Sequence, residues 1–128
     1  MAPTKIVVVS PTRALGAALS ERLSGDGFEV VTVHPGPTVF EVVRANRAAI
    51  AVVDRIDERP DAAQLEIAVL KEISPGVEII ALSDHSSERD ATVVEQGVFY
   101  YGSAVSVAQL TRLIHAADHS LVARGVQQ

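Results

Sequence analysis

One acidic side chain, Asp54, directly follows a run of small apolar residues from Ala48 to Val53. Such a run is typical of a strand that is buried on both faces, and parallel sheets carry functional side chains at the carboxyl ends of their strands. A carboxylate at that position is a nucleophile and a ligand for hard divalent cations. Ser10 and Ser83 follow two other apolar runs, so their hydroxyl groups are predicted at the same edge of the sheet.

The strands that position these side chains are predicted from hydrophobic runs and from the turn residues between them, at residues 5–9, 28–33, 48–53, 77–82 and 98–101. A charged loop is expected from Arg55 to Asp61, and Gly102 and Ser103 are expected just after the last strand. Strands that are apolar on both faces and alternate with helices require a parallel sheet that is covered on both sides. The predicted fold class is therefore α/β and doubly wound, with five strands and five helices.

The helices are predicted from caps and from apolar residues at helical spacing. The first is expected to begin with Ser10 as its N-cap and Pro11 in its first turn, and to end at Gly25. Ser106 and Gln109 have the spacing of a capping box for the last helix. The fourth helix is expected from Ser86 or Ser87 to Gly97, and the third is expected to have its apolar side at Leu65, Ala68, Val69, Glu72 and Ile73.

Length and composition limit the class of protein. The 128 residues predict one domain, with a core at about 4–122 and a tail at 123–128. The chain has no cysteine, which excludes disulfides and thiolate chemistry, and its net charge of -5 argues against a broad nucleic-acid surface. It has neither an apolar run long enough to span a membrane nor a secretion signal at its start, so no membrane association and a cytoplasmic location are expected.

Three motifs, with the order of the elements, resemble the receiver domain of two-component response regulators, the CheY-like family. They are ValValAsp at 52–54, IleIleAlaLeuSer at 79–83 and GlyValPheTyrTyr at 97–101. The resemblance covers residues 4 to about 122 and implies a flavodoxin-like sheet with the strand order 2-1-3-4-5. It also implies that Asp54 stands at the phospho-acceptor position, that Ser83 is the switch hydroxyl, and that Tyr101 is the switch aromatic residue.

The chain departs from this family where the family binds a cation. Ser10 and Pro11 stand where receivers have an acidic pair that holds a divalent metal, and Ser103 or Ala104 stands where they have a lysine. Two unit charges about 4 Å apart repel by about 4 kcal/mol at an effective dielectric constant near 20, and a bound cation normally offsets this repulsion in phosphorylated aspartate. No cofactor is therefore expected, and neither Mg²⁺ binding nor phosphorylation by the usual route is expected.

Nearby charges offer substitutes for the missing cation and its ligands. Arg13, at the start of the first helix, is the preferred partner for Asp54, since Arg55 is adjacent to Asp54 and projects to the other side of the strand. Replacement metal ligands are conceivable at four acidic residues of neighbouring loops, Asp57, Glu58, Asp61 and Asp84. The pair His115 and His119 is interpreted as a surface pair rather than a metal site.

The favoured function is that of an atypical receiver domain, not an enzyme, that acts through protein contacts without phosphorylation. The partner is a kinase, an output domain, a regulator or a second copy that docks on the fourth helix, the fifth strand and the last helix. The alternative is a phospho-accepting receiver that uses Asp54 with a non-standard metal site. A third reading, a flavodoxin-like domain that binds a small molecule, has only the fold in its favour.

Overall fold

Five strands form one parallel sheet in this computed structural model, which describes residues 3–54, 60–83, 98–103 and 106–123. The strands are β1 Thr4–Val9, β2 Phe28–Val33, β3 Ile50–Asp54, β4 Glu78–Ser83 and β5 Tyr100–Ser103, and their order in the sheet is β2-β1-β3-β4-β5. The described helices are α1 Ala14–Leu23, α2 Thr38–Asn46, α3 Pro60–Ile73 and α4 Val107–Ala123. The fourth helix predicted from the sequence lies outside the described residues.

Alternate side chains of the strands point to opposite faces of the sheet and form two separate cores. One face of the strands packs against α2 and α3 through Val39, Val43, Ile67 and Leu70. The other face packs against α1 and α4 through Leu19, Leu23, Leu110, Ile114, Ala117 and Leu121. The parallel α/β sandwich expected from the sequence is therefore confirmed.

The register of the central strands brings the Asp54 region together. Val9 of β1 is paired with Val53 of β3 and with Val33 of β2. The residues that follow Val9 and Val53 are Ser10 and Asp54, so these two side chains lie side by side at the carboxyl edge of the sheet. Asp54 is also paired with Leu82 of β4.

The start of α4 follows the predicted capping box. The Ser106 hydroxyl accepts a hydrogen bond from the Gln109 amide N–H at 3.2 Å, and the Gln109 side-chain oxygen accepts one from the Ser106 amide N–H at 3.1 Å. Two N–H groups of the first turn, which have no partner within a helix, are satisfied in this way.

The predicted boundaries of α1 are wrong. Ser10 is not the N-cap, because α1 begins at Ala14 with Arg13 at the N-cap and no side-chain cap. The helix does not end at Gly25 either: a 3₁₀ turn, Ser24–Asp26, follows it, and Gly27 takes the left-handed conformation with φ of 86°. Ser10 is instead an extension of β1, since its amide N–H donates to the Val33 carbonyl at 3.1 Å.

Two other predictions need correction. The side of α3 that faces the sheet contains Ile67 and Leu70, whereas Leu65 is 65% exposed. Apolar residues occur on all sides of this helix, so their spacing did not decide which side is buried. The helix also begins at Pro60, inside the charged loop expected from Arg55 to Asp61. The last strand lies two residues later than predicted, so Gly102 and Ser103 belong to β5.

Candidate functional site

The Asp54 carboxylate has a hydroxyl partner. Ser10 Oγ donates a hydrogen bond to Asp54 Oδ2 at 3.0 Å. Ser10 is 2% exposed, whereas Asp54 is half-buried at the end of β3. A hydrogen bond to an ionised acceptor is stronger than one between neutral groups. The residue that stands in place of the family's acidic pair thus contacts Asp54 directly.

The segment after Ser10 is attached to the same hydroxyl. The Thr12 amide N–H donates to Ser10 Oγ at 3.3 Å, which closes a short turn of the kind that serine hydroxyls form. Pro11, Thr12 and Arg13 are all exposed. Ser10 therefore connects a solvent-facing segment to the ends of two strands.

The predicted pairing of Arg13 with Asp54 is not found. Arg13 is exposed, its carbonyl accepts the first helical hydrogen bond from Ala17 at 3.0 Å, and no ion pair joins it to Asp54 in the part of the chain that the structure describes. The side chain stands at the start of α1, where the helix itself presents partial positive charge, so a guanidinium has no local stabilisation there. Arg55 lies outside the described residues.

The backbones of β4 and β5 bring the other predicted residues to the same edge. Ser83 is paired with Ser103, and Tyr101 is paired with Ala81. The described contacts do not include the side chains of Ser83, Tyr101 and Ser103. The roles predicted for these residues therefore stay predictions. Ala104 lies outside the described residues.

Tyr100 has a defined environment that the sequence did not single out. Its ring packs with the α1 and α4 core, and a Cβ built on Gly102 would lie 2.7 Å from Tyr100 Oη. Residues two apart on a strand project to the same face, so a glycine at 102 leaves room for the tyrosine hydroxyl. The TyrXaaGly spacing of Tyr100 and Gly102 was the signal available in the sequence.

The described residues do not fit a divalent cation. Mg²⁺ is bound by several oxygen ligands in a near-octahedral arrangement, with carboxylates preferred. Ser10 offers one neutral hydroxyl that is already bonded to Asp54, and Pro11 offers no side-chain ligand. No three His, Cys, Asp or Glu side chains gather into a possible metal site among residues 3–54, 60–83, 98–103 and 106–123. Asp57, Glu58 and Asp84 lie outside those ranges, as does the side chain of Asp61.

Other polar groups lie away from this edge. His115 Nε2 is 3.2 Å from Asp26 Oδ2, and the His115 ring meets Phe28 edge-on at 5.2 Å, which joins α4 to the turn after α1. Burial raises the pKa of the Glu66 carboxyl in α3. Lys71 Nζ donates to the Val77 carbonyl at 3.3 Å and so fixes the turn before β4.

An open cavity of about 390 Å³ lies between α2 and α3 and is lined by Phe40, Glu41, Arg44, Ala45 and Ile73. None of these residues belongs to the group around Asp54. The described helices include none that is both long and apolar enough to cross a membrane.

The chain is similar over part of its length to known proteins. No family model matches it. The transcriptional regulatory protein GlrR of Escherichia coli K12 is 32% identical over 101 residues, which cover 77% of this chain and 22% of GlrR. The chain therefore spans about a fifth of the length of the curated relatives that it matches.

Two solved structures share the fold, and they differ in whether phosphorylation is part of their description. A response regulator from Burkholderia pseudomallei, solved with a phosphorylated aspartic acid and a calcium ion, has a TM-score of 0.71 at 19% identity; the match covers 98% of this chain and 75% of that one. An atypical orphan response regulator, described as having a phosphorylation-independent regulatory mechanism, has a TM-score of 0.73 at 18% identity. The match covers 89% of this chain and 94% of that one.

The chain has the fold of a response regulator receiver domain. The resemblance that the sequence motifs predict is confirmed by these neighbours. The receiver fold is described for both a phosphorylated and a phosphorylation-independent protein, so the fold alone does not identify the function of this chain.

Sequence reasoning missed the bond between Ser10 and Asp54. It located both residues at one edge of the sheet, but it treated Ser10 as a helix cap and as a lost metal ligand. The available signal was the equal distance of each residue from the end of its strand, because parallel strands in register bring such positions together.

Proposed function

We propose that this chain is an atypical receiver domain that signals through protein contacts without accepting a phosphoryl group. The hydrogen bond from Ser10 to Asp54 carries the proposal. A hydroxyl donates one proton and adds no net positive charge, so it cannot offset the charge that a phosphoryl group brings. Phosphoryl transfer depends on cations that stabilise charge on the transferred oxygens, and the described residues contain no group of acidic, histidine or cysteine side chains that could hold a metal ion at Asp54.

Phosphorylation with acetyl phosphate tests the proposal. The protein is incubated with acetyl phosphate and Mg²⁺, and the intact mass is measured. We expect no added phosphoryl group. A second sample, Ser10→Asp/Pro11→Asp, restores two carboxylates at the family's metal positions and shows whether the fold can be made to accept the group. A phosphoryl adduct on the protein without substitutions would overturn the proposal if Asp54→Asn abolishes that adduct.

The alternative is a phospho-accepting receiver that uses Asp54 with a non-standard metal site. The half-exposed carboxylate at the open edge of the sheet favours it, because solvent and ions reach that group. A Mg²⁺ titration followed by amide chemical shifts separates the two functions. Saturable shifts confined to Asp54 and its neighbours support the alternative, whereas unchanged shifts support the proposed function.

The proposed partner is a protein, and the proposed docking surface includes β5 and α4. Val122 on α4 is 55% exposed and so offers an apolar contact to a partner on this surface. We expect Val122→Glu to weaken binding of the partner or of a second copy. Leu65→Glu is a matched control, since Leu65 is also a large apolar residue, is 65% exposed and lies on α3. Sedimentation velocity measures self-association for both variants.

The role proposed for this chain is regulatory, and no catalytic residue is proposed. GlrR is a transcriptional regulatory protein, so a role in regulating transcription through a partner or through further parts of a longer chain is part of the proposal. A cytoplasmic location, as for two-component signalling, also belongs to it.

A further inference from the structure

Ser10 takes part in three hydrogen bonds that run in different directions. Its amide N–H donates to the Val33 carbonyl of β2 at 3.1 Å, and its hydroxyl donates to Asp54 Oδ2 of β3 at 3.0 Å. The same hydroxyl oxygen accepts the Thr12 amide N–H at 3.3 Å. The residue is 2% exposed, so water cannot readily replace these partners.

The two bonds of the hydroxyl have a fixed direction. A serine hydroxyl has one hydrogen and two lone pairs. An ionised carboxylate only accepts, and an amide N–H only donates, so the Ser10 hydrogen points to Asp54 and a lone pair points to Thr12. The result is one directed chain from the Thr12 amide through Ser10 to Asp54. Each bond in such a chain polarises the next and strengthens it.

We infer that Asp54 is a positioning residue that holds the exposed segment Pro11–Arg13 in place through Ser10. The segment presents three neighbouring exposed residues at the start of α1, which is a surface that a protein partner can contact. Any event that engages the Asp54 carboxylate competes with the Ser10 hydroxyl and releases the segment. The inference rests on the proposed function in one respect, since it requires an unmodified Asp54 in the resting protein.

The inference differs from a simpler account in which Ser10 and Thr12 form a local turn by themselves. In the local account, Asp54 is dispensable for the Thr12 amide. In the inferred account, loss of the Asp54 carboxylate frees the Ser10 hydroxyl to rotate and weakens its bond to Thr12. The Thr12 amide proton therefore reports on a side chain that lies 44 residues beyond Ser10 in the sequence.

Amide hydrogen exchange of the full chain, measured by NMR, tests the inference. The variants are Asp54→Ala, which removes the acceptor, and Ser10→Ala, which removes the link. Glu21→Ala, at an exposed carboxylate on α1, is the control. We expect exchange of the Thr12 amide to become about threefold to tenfold faster in both test variants. Shift changes are expected at residues 10–13 as well as around the substituted residue. Exchange in the control should not change.

An unchanged Thr12 exchange rate in Asp54→Ala, together with a faster rate in Ser10→Ala, would refute the inference in favour of the local turn. If Asp54→Ala does not fold, Asp54→Asn gives the same decision, because its neutral oxygen accepts a weaker bond and a smaller acceleration is expected. Acetyl phosphate separates this inference from the proposed function. A phosphorylated Asp54 with faster Thr12 exchange would contradict the proposed function and support the link.

Discussion

The bond between Ser10 and Asp54 should be measurable as a coupling energy in a double-mutant cycle. Hydrogen bonds to charged groups contribute about 1.5–3 kcal/mol, and the half-exposed position of Asp54 favours the lower value. We expect Ser10→Ala and Asp54→Ala each to lower the free energy of unfolding by about 1.5 kcal/mol, and the double variant by little more than either. The coupling energy should be about 1 kcal/mol.

The same numbers predict a shift in the melting temperature. An unfolding entropy of about 2.1 cal/mol/K per residue gives about 0.27 kcal/mol/K for 128 residues. A loss of about 1.5 kcal/mol therefore lowers Tm by about 6 °C. Urea unfolding followed by circular dichroism gives the free energies, and thermal melts give Tm.

A control cycle pairs Ser10→Ala with Asp26→Ala. Asp26 is also an acidic residue, but it precedes β2 and lies at the opposite edge of the sheet, where it contacts His115. These two substitutions should be additive within about 0.5 kcal/mol. If Ser10→Ala and Asp54→Ala are equally additive, the hydrogen bond contributes nothing and the reasoning about the site is refuted.

Three further predictions concern stability. Because burial raises the pKa of Glu66, the folded state favours the protonated carboxyl, so the stability that this group contributes is present at acidic pH and lost as pH rises through the folded value. Glu66→Gln should reduce this pH dependence in urea unfolding, and an unchanged pH dependence would contradict the prediction. Gly102→Ala should displace the Tyr100 ring and cost about 1–3 kcal/mol, and the near-ultraviolet circular dichroism of a chain without tryptophan should change with it; an unchanged spectrum would contradict the packing. Ser106→Ala should lower the free energy of unfolding by about 1 kcal/mol through the lost cap, and an equal stability would show that the capping box contributes nothing.

The sequence predicted elements well where the determining contacts are local. The bounds of β2 agree with the structure, because an apolar run and the turn residues that follow it define that strand within a few residues. The capping box of Ser106 and Gln109 is confirmed for the same reason, since its two hydrogen bonds join residues three apart.

Predictions failed where a distant partner decides the local structure. Ser10 has the residue type and position of an N-cap, but its bonds to Val33 and Asp54 extend β1 and delay the start of α1. Apolar residues around α3 give no preferred side until the sheet selects Ile67 and Leu70. The bond to Asp54 spans 44 residues, so its existence follows from the register of β1 and β3 rather than from any short motif.

The central position of β1 has a consequence for biosynthesis. Its partner β3 begins 46 residues after the start of β1, so a nascent chain that has left the ribosome as far as β2 still exposes one side of an Ile-Val-Val-Val strand. Exposed strand edges of this composition are sites of aggregation. Solubility during expression should therefore depend on how quickly β3 docks, and conditions that slow translation between Val33 and Ile50 should increase the insoluble fraction.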